Sequence, residues 1–344
     1  MMSPGRIVGL TIAVAMAVQA QESPCDPSAS EPFEKEARSA MQARDFPLAA
    51  RRFAEAFDAC PRNRSILLKL AEAQLSGRNF DEAIGTARRF LANEPGSIEG
   101  RAALANAYLR GLRLKEALAE ADAILRDHPE EVAALKIKAN AAYLLADVPT
   151  AKSTFIRLLD RHPNDEDGAY MLGRIYYQEG NLDLAIGQFE RVLRIAPGSY
   201  KALDNLGLCY DARGDTESAT RYFLKAIELV EKDHPEYEWP YINLADLLLK
   251  TGDPRRAFDA ASKAVNRNPM SARGFYVGAK ALNHLEKIEL SLNWAQRAVS
   301  LDATLSEAWY LLGADYRKLK QNDKAEEAQA KFLELKAREP ARRR

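Results

Sequence analysis

The chain has 344 residues, and 49 Lys and Arg balance 49 Asp and Glu, so no net charge draws it to nucleic acid or to an anionic membrane. Ala, Leu, Glu, Lys and Arg outnumber the 18 Gly and 16 Pro, which favours helix over sheet. The length allows about two or three compact domains, unless the chain grows by repetition instead of by adding cores.

At the amino end, Arg6 precedes an apolar run over residues 7–18, and Val18-Gln19-Ala20 places small residues at a cleavage position. The run has 12 residues, whereas a membrane-spanning helix needs about 20. The expectation is a signal peptide over 1–20, cut after about Ala20, and a periplasmic or secreted mature chain. The alternative is a retained anchor or a misassigned start. Cys25 follows Glu22-Ser23-Pro24 and not a Leu-x-x motif, so it is not read as a lipid-modified cysteine. A short linker, 21–29, comes next. No later segment is apolar enough to span a bilayer.

From there a fixed period governs the sequence. Pro61, Pro95, Pro129, Pro163 and Pro197 fall at intervals of 34, each after an amphipathic stretch that a proline would stop. Twelve residues before each stands an alanine: Ala49, Ala83, Ala117, Ala151 and Ala185. The series continues as Ala219, Ala257, Ser291 and Ala325. A small side chain at a fixed point lets two helices approach closely. The first half of each period has a signature too. It reads Leu172, Gly173 and Tyr176 in one copy, and Leu203, Leu206, Gly207, Tyr210, Gly214, Ala219 and Phe223 in the next. Near the carboxyl end it reads Trp309, Leu312, Gly313, Tyr316 and Ala325.

This pattern resembles the tetratricopeptide repeat family. Nine repeats fit, starting at residues 30, 64, 98, 132, 166, 200, 238, 272 and 306, and they cover 30–339. A basic tail, 340–344, remains. The resemblance implies an all-α solenoid, a right-handed superhelix of about nine 34-residue helix-turn-helix repeats, with first helices on the concave side and about 18 helices in all. Three departures stand out. Glu231 replaces the terminal proline of repeat six, and residues 234–237 are inserted after it. The expectation is a longer second helix that pushes repeat seven out of ideal stacking. Repeat eight has Ser291 and Ala303 at the alanine and proline positions, and repeat one has Phe33 as the one large aromatic of its first helix.

The reactive residues do not converge. His128 and His162 occupy equivalent repeat positions, so stacked helices would hold them about 8–10 Å apart, whereas zinc needs each nitrogen at about 2 Å. They read as solvated helix-end residues. No phosphate loop, nucleophile elbow or His-Glu-x-x-His occurs. No catalytic residue, metal ligand or cofactor is assigned. Cys209 reads as a small buried thiol. Cys25 precedes the first helix of repeat one and Cys60 ends its second, so antiparallel packing puts both at one edge. A Cys25–Cys60 disulfide is expected in an oxidising compartment; the alternative is two unpaired thiols.

On the family's geometry, recurrent positions of the first helices face the groove. They give a candidate ligand-binding set of Asn106, Lys136, Asn140, Tyr143, Tyr170, Arg174 and Tyr177. Asparagine can hold a peptide backbone through donor and acceptor, and tyrosine gives contact area at low entropic cost. Trp239, Tyr276, Lys280, His284 and Tyr310 form a second set. The alternative is an ordinary polar face with aromatics packed between layers. Some family members grip a C-terminal carboxylate with Lys, Asn, Asn, Lys and Arg. Lys136, Asn140 and Lys201 match that set, but Met171 and Asn205 replace the second Asn and the Arg, which argues against that mode. The resulting expectation is a protein- or peptide-binding scaffold outside the cytoplasm, monomeric or weakly self-associating. The rivals are a structural spacer or self-assembling array, and a non-catalytic subunit that positions an envelope or polysaccharide assembly enzyme.

Overall fold

The structure, a computed structural model, describes residues 25–234 and 236–338. The expected signal peptide and basic tail lie outside the described residues. Eighteen α-helices follow one another among the described residues, with no strand. They are α1 (Glu31–Gln42), α2 (Phe46–Ala59), α3 (Ser65–Ser76), α4 (Phe80–Asn93), α5 (Ile98–Arg110) and α6 (Leu114–Asp127). Then come α7 (Val132–Leu144), α8 (Val148–Arg161), α9 (Glu166–Gln178), α10 (Leu182–Ile195), α11 (Tyr200–Arg213) and α12 (Thr216–Asp233). The last six are α13 (Trp239–Lys250), α14 (Pro254–Arg267), α15 (Ala272–His284), α16 (Ile288–Leu301), α17 (Ser306–Lys318) and α18 (Asn322–Arg338). The chain divides into two compact units between Pro129 and Glu130. Within each, odd-numbered helices pair with the even-numbered ones that follow, and each pair packs on the next.

The turn inside each pair is built the same way. One residue takes the left-handed conformation: Gly180, Gly214 and Gly252 in three turns, and Arg44, Arg78, Leu112, Ala146, Glu286 and Lys320 in six. The residue after it closes the first helix and opens the second. Asp45, Asp147, Asp215 and Asp253 donate their backbone N–H to Ala40, Ala142, Tyr210 and Leu248, each at 2.9 Å. Their carboxylates accept from the N–H of Leu48, Thr150, Ser218 and Arg256. Such an N-cap contributes about 1 kcal/mol. Pro61, Pro95, Pro129, Pro163 and Pro197 each lie two residues beyond a second helix, where a missing N–H costs nothing.

Small residues set the spacing between helices. Ala49, Ala83, Ala117, Ala151, Ala185, Ala219 and Ala257 are all sealed from solvent. Ser291 is equally buried, and its hydroxyl donates to Ala279 O at 2.9 Å and lies 2.6 Å from Asp315. Gly173 and Gly207 serve a second close approach. A Cβ at Gly173 would stand 2.8 Å from the Phe189 ring, and one at Gly207 would collide with Phe223. The glycine of the repeat signature is therefore the floor on which the second helix's aromatic ring lies.

The inserted residues do not displace the next repeat as the sequence suggests. Helix α12 has 18 residues where α10 has 14, so the four extra residues become one more helical turn. Glu231, at the missing proline, stays helical and accepts a 2.6 Å hydrogen bond from Tyr241 Oη. Elsewhere, first helices are tied across 35 residues, as in Gln178–Tyr143 and Asn205–Tyr170. Across the insertion, Asn243 reaches Asp204 and Lys250 reaches Asp211 over 39 residues, the usual 35 plus four. The first-helix register survives because the added length is absorbed in α12.

At the start of the first unit, Cys25 and Cys60 are joined by a disulfide, with Cα atoms 5.2 Å apart and 35 residues apart in sequence. Closing such a loop stabilises by at most about 3–4 kcal/mol in the chain-entropy model. The Cys25→Ser, Cys60→Ser double variant should speed amide exchange in α1 and α2, with α13 to α18 unchanged, since repeat stability is a sum of neighbour terms. Unchanged exchange in α1 and α2 would show that the bond does not hold them.

Candidate functional site

The first helices α7 and α9 of the second unit bring six of the seven expected binding residues together. Lys136, Asn140 and Tyr143 lie along α7, and Tyr170, Arg174 and Tyr177 along α9. All six are half-buried. Asn106 is half-buried on α5 in the other compact unit.

Lys136 is committed within the fold. Its Nζ lies 2.8 Å from Asp165 and 3.1 Å from Asp167, at the amino end of α9. Burial alone would lower its pKa, but the hydrogen bonds and attraction of the two carboxylates prevail and raise it. It is a strut between α7 and α9, unsuited to gripping a ligand's carboxylate. Asn140 donates to Lys136 O at 2.9 Å, which leaves its carbonyl oxygen as the acceptor it can offer. Tyr143 Oη accepts from Gln178 Nε2 at 2.9 Å, and the Arg174 guanidinium lies 5.6 Å from the Tyr143 ring centre. Met171 Sδ lies 3.9 Å from the same guanidinium. Among the described residues no carboxylate pairs with it, so Arg174 presents a positive charge stiffened by an aromatic ring.

Tyr170 packs against Phe189, with centroids 5.9 Å apart, and its hydroxyl accepts from Asn205 Nδ2 at 3.3 Å. Burial raises the hydroxyl pKa of Tyr170 and of Tyr177. Both stay neutral and act as hydrogen-bonding, contact-making groups. In the second set, Trp239 and Tyr310 are 44% and 55% exposed, while Tyr276 is half-buried beneath Arg273. Arg273 in turn spans Asp246 at 3.0 Å and Glu307 at 3.5 Å. This second face is cross-braced, unlike the one around Arg174. Cys209 is a buried free thiol, and burial pushes its pKa up to about 12, so it is unreactive. Among the described residues no group of three His, Cys, Asp or Glu side chains could hold a metal ion, and no helix is long and apolar enough to cross a membrane.

Sequence reasoning missed Asp204. It lies on α11 between Leu203 and Leu206 and is 3% exposed. Asn243 Nδ2 donates to one of its oxygens at 2.9 Å. Loss of hydration pushes its carboxyl up to about 7, and Asn243 offsets only part of that. The signal available in the sequence was an acid inside an apolar stripe. Asp315 is the other deeply buried aspartate; Asn283 donates to it, and the Ser291 hydroxyl lies 2.6 Å from its other oxygen. One helical turn before Asp204, the Tyr200 ring centre lies 4.8 Å from that of Tyr237 and 4.4 Å from that of His234.

Models of the tetratricopeptide repeat match residues 34–98, 165–232, 198–269, 242–306 and 306–339. Among solved structures, a chain of the APC/C hetero-tetramer Cut9–Hcn1 is 16% identical, with a TM-score of 0.63 over 83% of this chain and 56% of that one. This chain thus spans little more than half the length of that relative. A tetratricopeptide repeat protein from Parabacteroides merdae ATCC 43184 is 19% identical, with a TM-score of 0.50 over 84% of this chain and 99% of that one. At such identities the likeness concerns the fold alone. No curated protein sequence matches the chain. The helix pairs, their glycine floors and left-handed turns, and the matches over residues 34–98 and 165–339 make this chain a member of the tetratricopeptide repeat family.

Proposed function

We propose that the protein is a non-catalytic binding module that acts outside the cytoplasm and holds a protein or peptide segment along the face of α7 and α9. The observation that carries this reading is the pairing of Asn140 and Arg174 on adjacent first helices. One offers a carbonyl acceptor and the other a cation with no carboxylate partner, beside the hydroxyl-bearing rings of Tyr143, Tyr170 and Tyr177. An extended backbone supplies N–H donors for the Asn140 carbonyl and carbonyl acceptors for the Arg174 guanidinium at regular intervals. The export part of the reading is supported by Arg6, the apolar run 7–18, and the Cys25–Cys60 bond, which persists in an oxidising compartment.

The Asn140→Ala, Arg174→Ala double variant should weaken capture of a co-purifying partner by at least about tenfold, or 1.4 kcal/mol. Its melting temperature should stay close to the parent's, because neither side chain belongs to the buried core. Cross-linking with mass spectrometry identifies the partner. Recovery of the same partners at the same level by the variant would move the binding surface to the region of Trp239 and Tyr310.

A further inference from the structure

We propose that Asp204 is the seat for a primary ammonium group, namely a lysine side chain of the bound segment, held beside the rings of Tyr170, Tyr200 and Tyr237. This rests on the reading of the first-helix face as a peptide-binding surface, and it names what one part of that surface selects.

The argument starts from what a buried carboxyl requires. An acid taken out of water needs a cation or a full set of donors. Asp315 has a hydrogen-bonding neighbour on each oxygen, Asn283 on one and Ser291 on the other, which is a structural use of the group. Asp204 has one neutral donor, Asn243, and no Lys, Arg or His pairs with it. Its second oxygen receives no hydrogen bond. The residue as a whole is 3% exposed. The site is an acid with one coordination position open.

Its surroundings suit a compact cation. Tyr170 comes from α9, Tyr200 from the start of α11, and Tyr237 from the linker ahead of α13. The Tyr170 hydroxyl accepts from Asn205, the residue after Asp204, and Tyr237 packs on Tyr200, one helical turn before Asp204. Tyr200 packs edge-on to Tyr237, and the chain's own Lys201 Nζ already lies 5.8 Å from the Tyr200 ring centre. One open oxygen with aromatic rings around it accommodates an ammonium. A guanidinium, with its planar fork of donors, would leave most of them unpaired. The titratable or charged groups that face Asp204 are Tyr170 from α9 and Tyr237 from the linker, while α13 contributes the neutral Asn243. Neither tyrosine ionises near neutrality, since burial raises both. Binding of an ammonium therefore tracks ionisation of Asp204 itself.

The test uses the full exported chain and two dye-labelled nonapeptides of alternating Ala and Lys, one free and one with every lysine acetylated, at physiological ionic strength. Fluorescence anisotropy should show at least tenfold tighter binding of the free-lysine peptide. Asp204→Asn should abolish that preference and leave the acetylated peptide's affinity unchanged. Glu228→Gln, which removes one exposed charge, should keep it. For the parent, affinity for the lysine peptide should rise about tenfold from pH 6 to pH 8, and Asp204→Asn should give a flat profile. An equal preference in parent and Asp204→Asn overturns the proposal, as does a loss of both peptides in that variant. If the parent ignores both peptides yet still captures its partner through Asn140 and Arg174, the ammonium seat falls and the groove reading stands.

Discussion

Replacing Phe223 with Ala should destabilise the second compact unit by about 3–5 kcal/mol, the usual cost of deleting a fully enclosed aromatic side chain. Phe223 is 0% exposed and lies in one cluster with Ala219, Ile227, Val230, Tyr241, Ile242, Leu244 and Leu248. Its ring rests on Gly207, where even a methyl group would collide with it. The backbone of α11 fixes that floor, so the cavity left by truncation cannot close by a simple side-chain shift. Helical repeats gain their stability from neighbours, so the loss should appear first at the joints of α11, α12 and α13. Urea unfolding followed by far-ultraviolet circular dichroism reports the size of the loss, and amide exchange reports where it falls. An unchanged midpoint would mean that neighbouring side chains refill the site.

Asp204→Asn should do the opposite and stabilise the protein above neutral pH. The folded chain holds the Asp204 proton up to about pH 7, while the unfolded chain releases it near the ordinary value of 3.8. Between those values the folded state binds more protons, so the stability contributed by this group falls as pH rises through that window. Above the folded pKa the whole penalty is present, on the order of 4 kcal/mol from a difference of about three pH units. Asparagine can keep the Asn243 contact without the charge. Unfolding free energies at pH 4.5 and pH 8 should therefore diverge between parent and variant, with little difference at the acid end and a variant more stable by about 2–4 kcal/mol at the alkaline end. Parallel profiles would place the titration of Asp204 elsewhere.

The repeat architecture was legible from two residue types. Prolines at intervals of 34 mark where second helices stop, and alanines 12 residues earlier mark where helices touch; both are backbone and volume constraints that leave a fixed trace in sequence. Gly207 with Phe223 carries the same kind of trace. The candidate surface was legible only as a list of positions. Repeat position assigned Lys136 and Arg174 to one face, but Lys136 is consumed by Asp165 and Asp167, while Arg174 has only a tyrosine ring and a thioether against it. Which side chain is already satisfied depends on partners about 30 residues away, and periodicity is blind to that. Asp204 escaped for the same reason, because its one donor, Asn243, lies beyond the insertion. The longer second helix was legible in the sequence and α12 has it, but the displacement of repeat seven was not borne out, because a residue count does not show that four residues bring a helix back nearly into phase.

The extra turn of α12 limits how such an array can change length. A helix turns about 100° per residue, so four added residues bring its far end to within about 40° of its former heading. One or two added residues would rotate it by about 100° or 200° and aim the residues after it away from α11. Insertions into a second helix are thus tolerated like the thread of a screw, in steps close to whole turns. In this chain one such step carries Tyr237 to Tyr200 while Asn243 and Lys250 still meet Asp204 and Asp211. The extra turn sets Tyr237 against Tyr200 without loss of phase, and a protein of this design can change its surface by lengthening a single second helix.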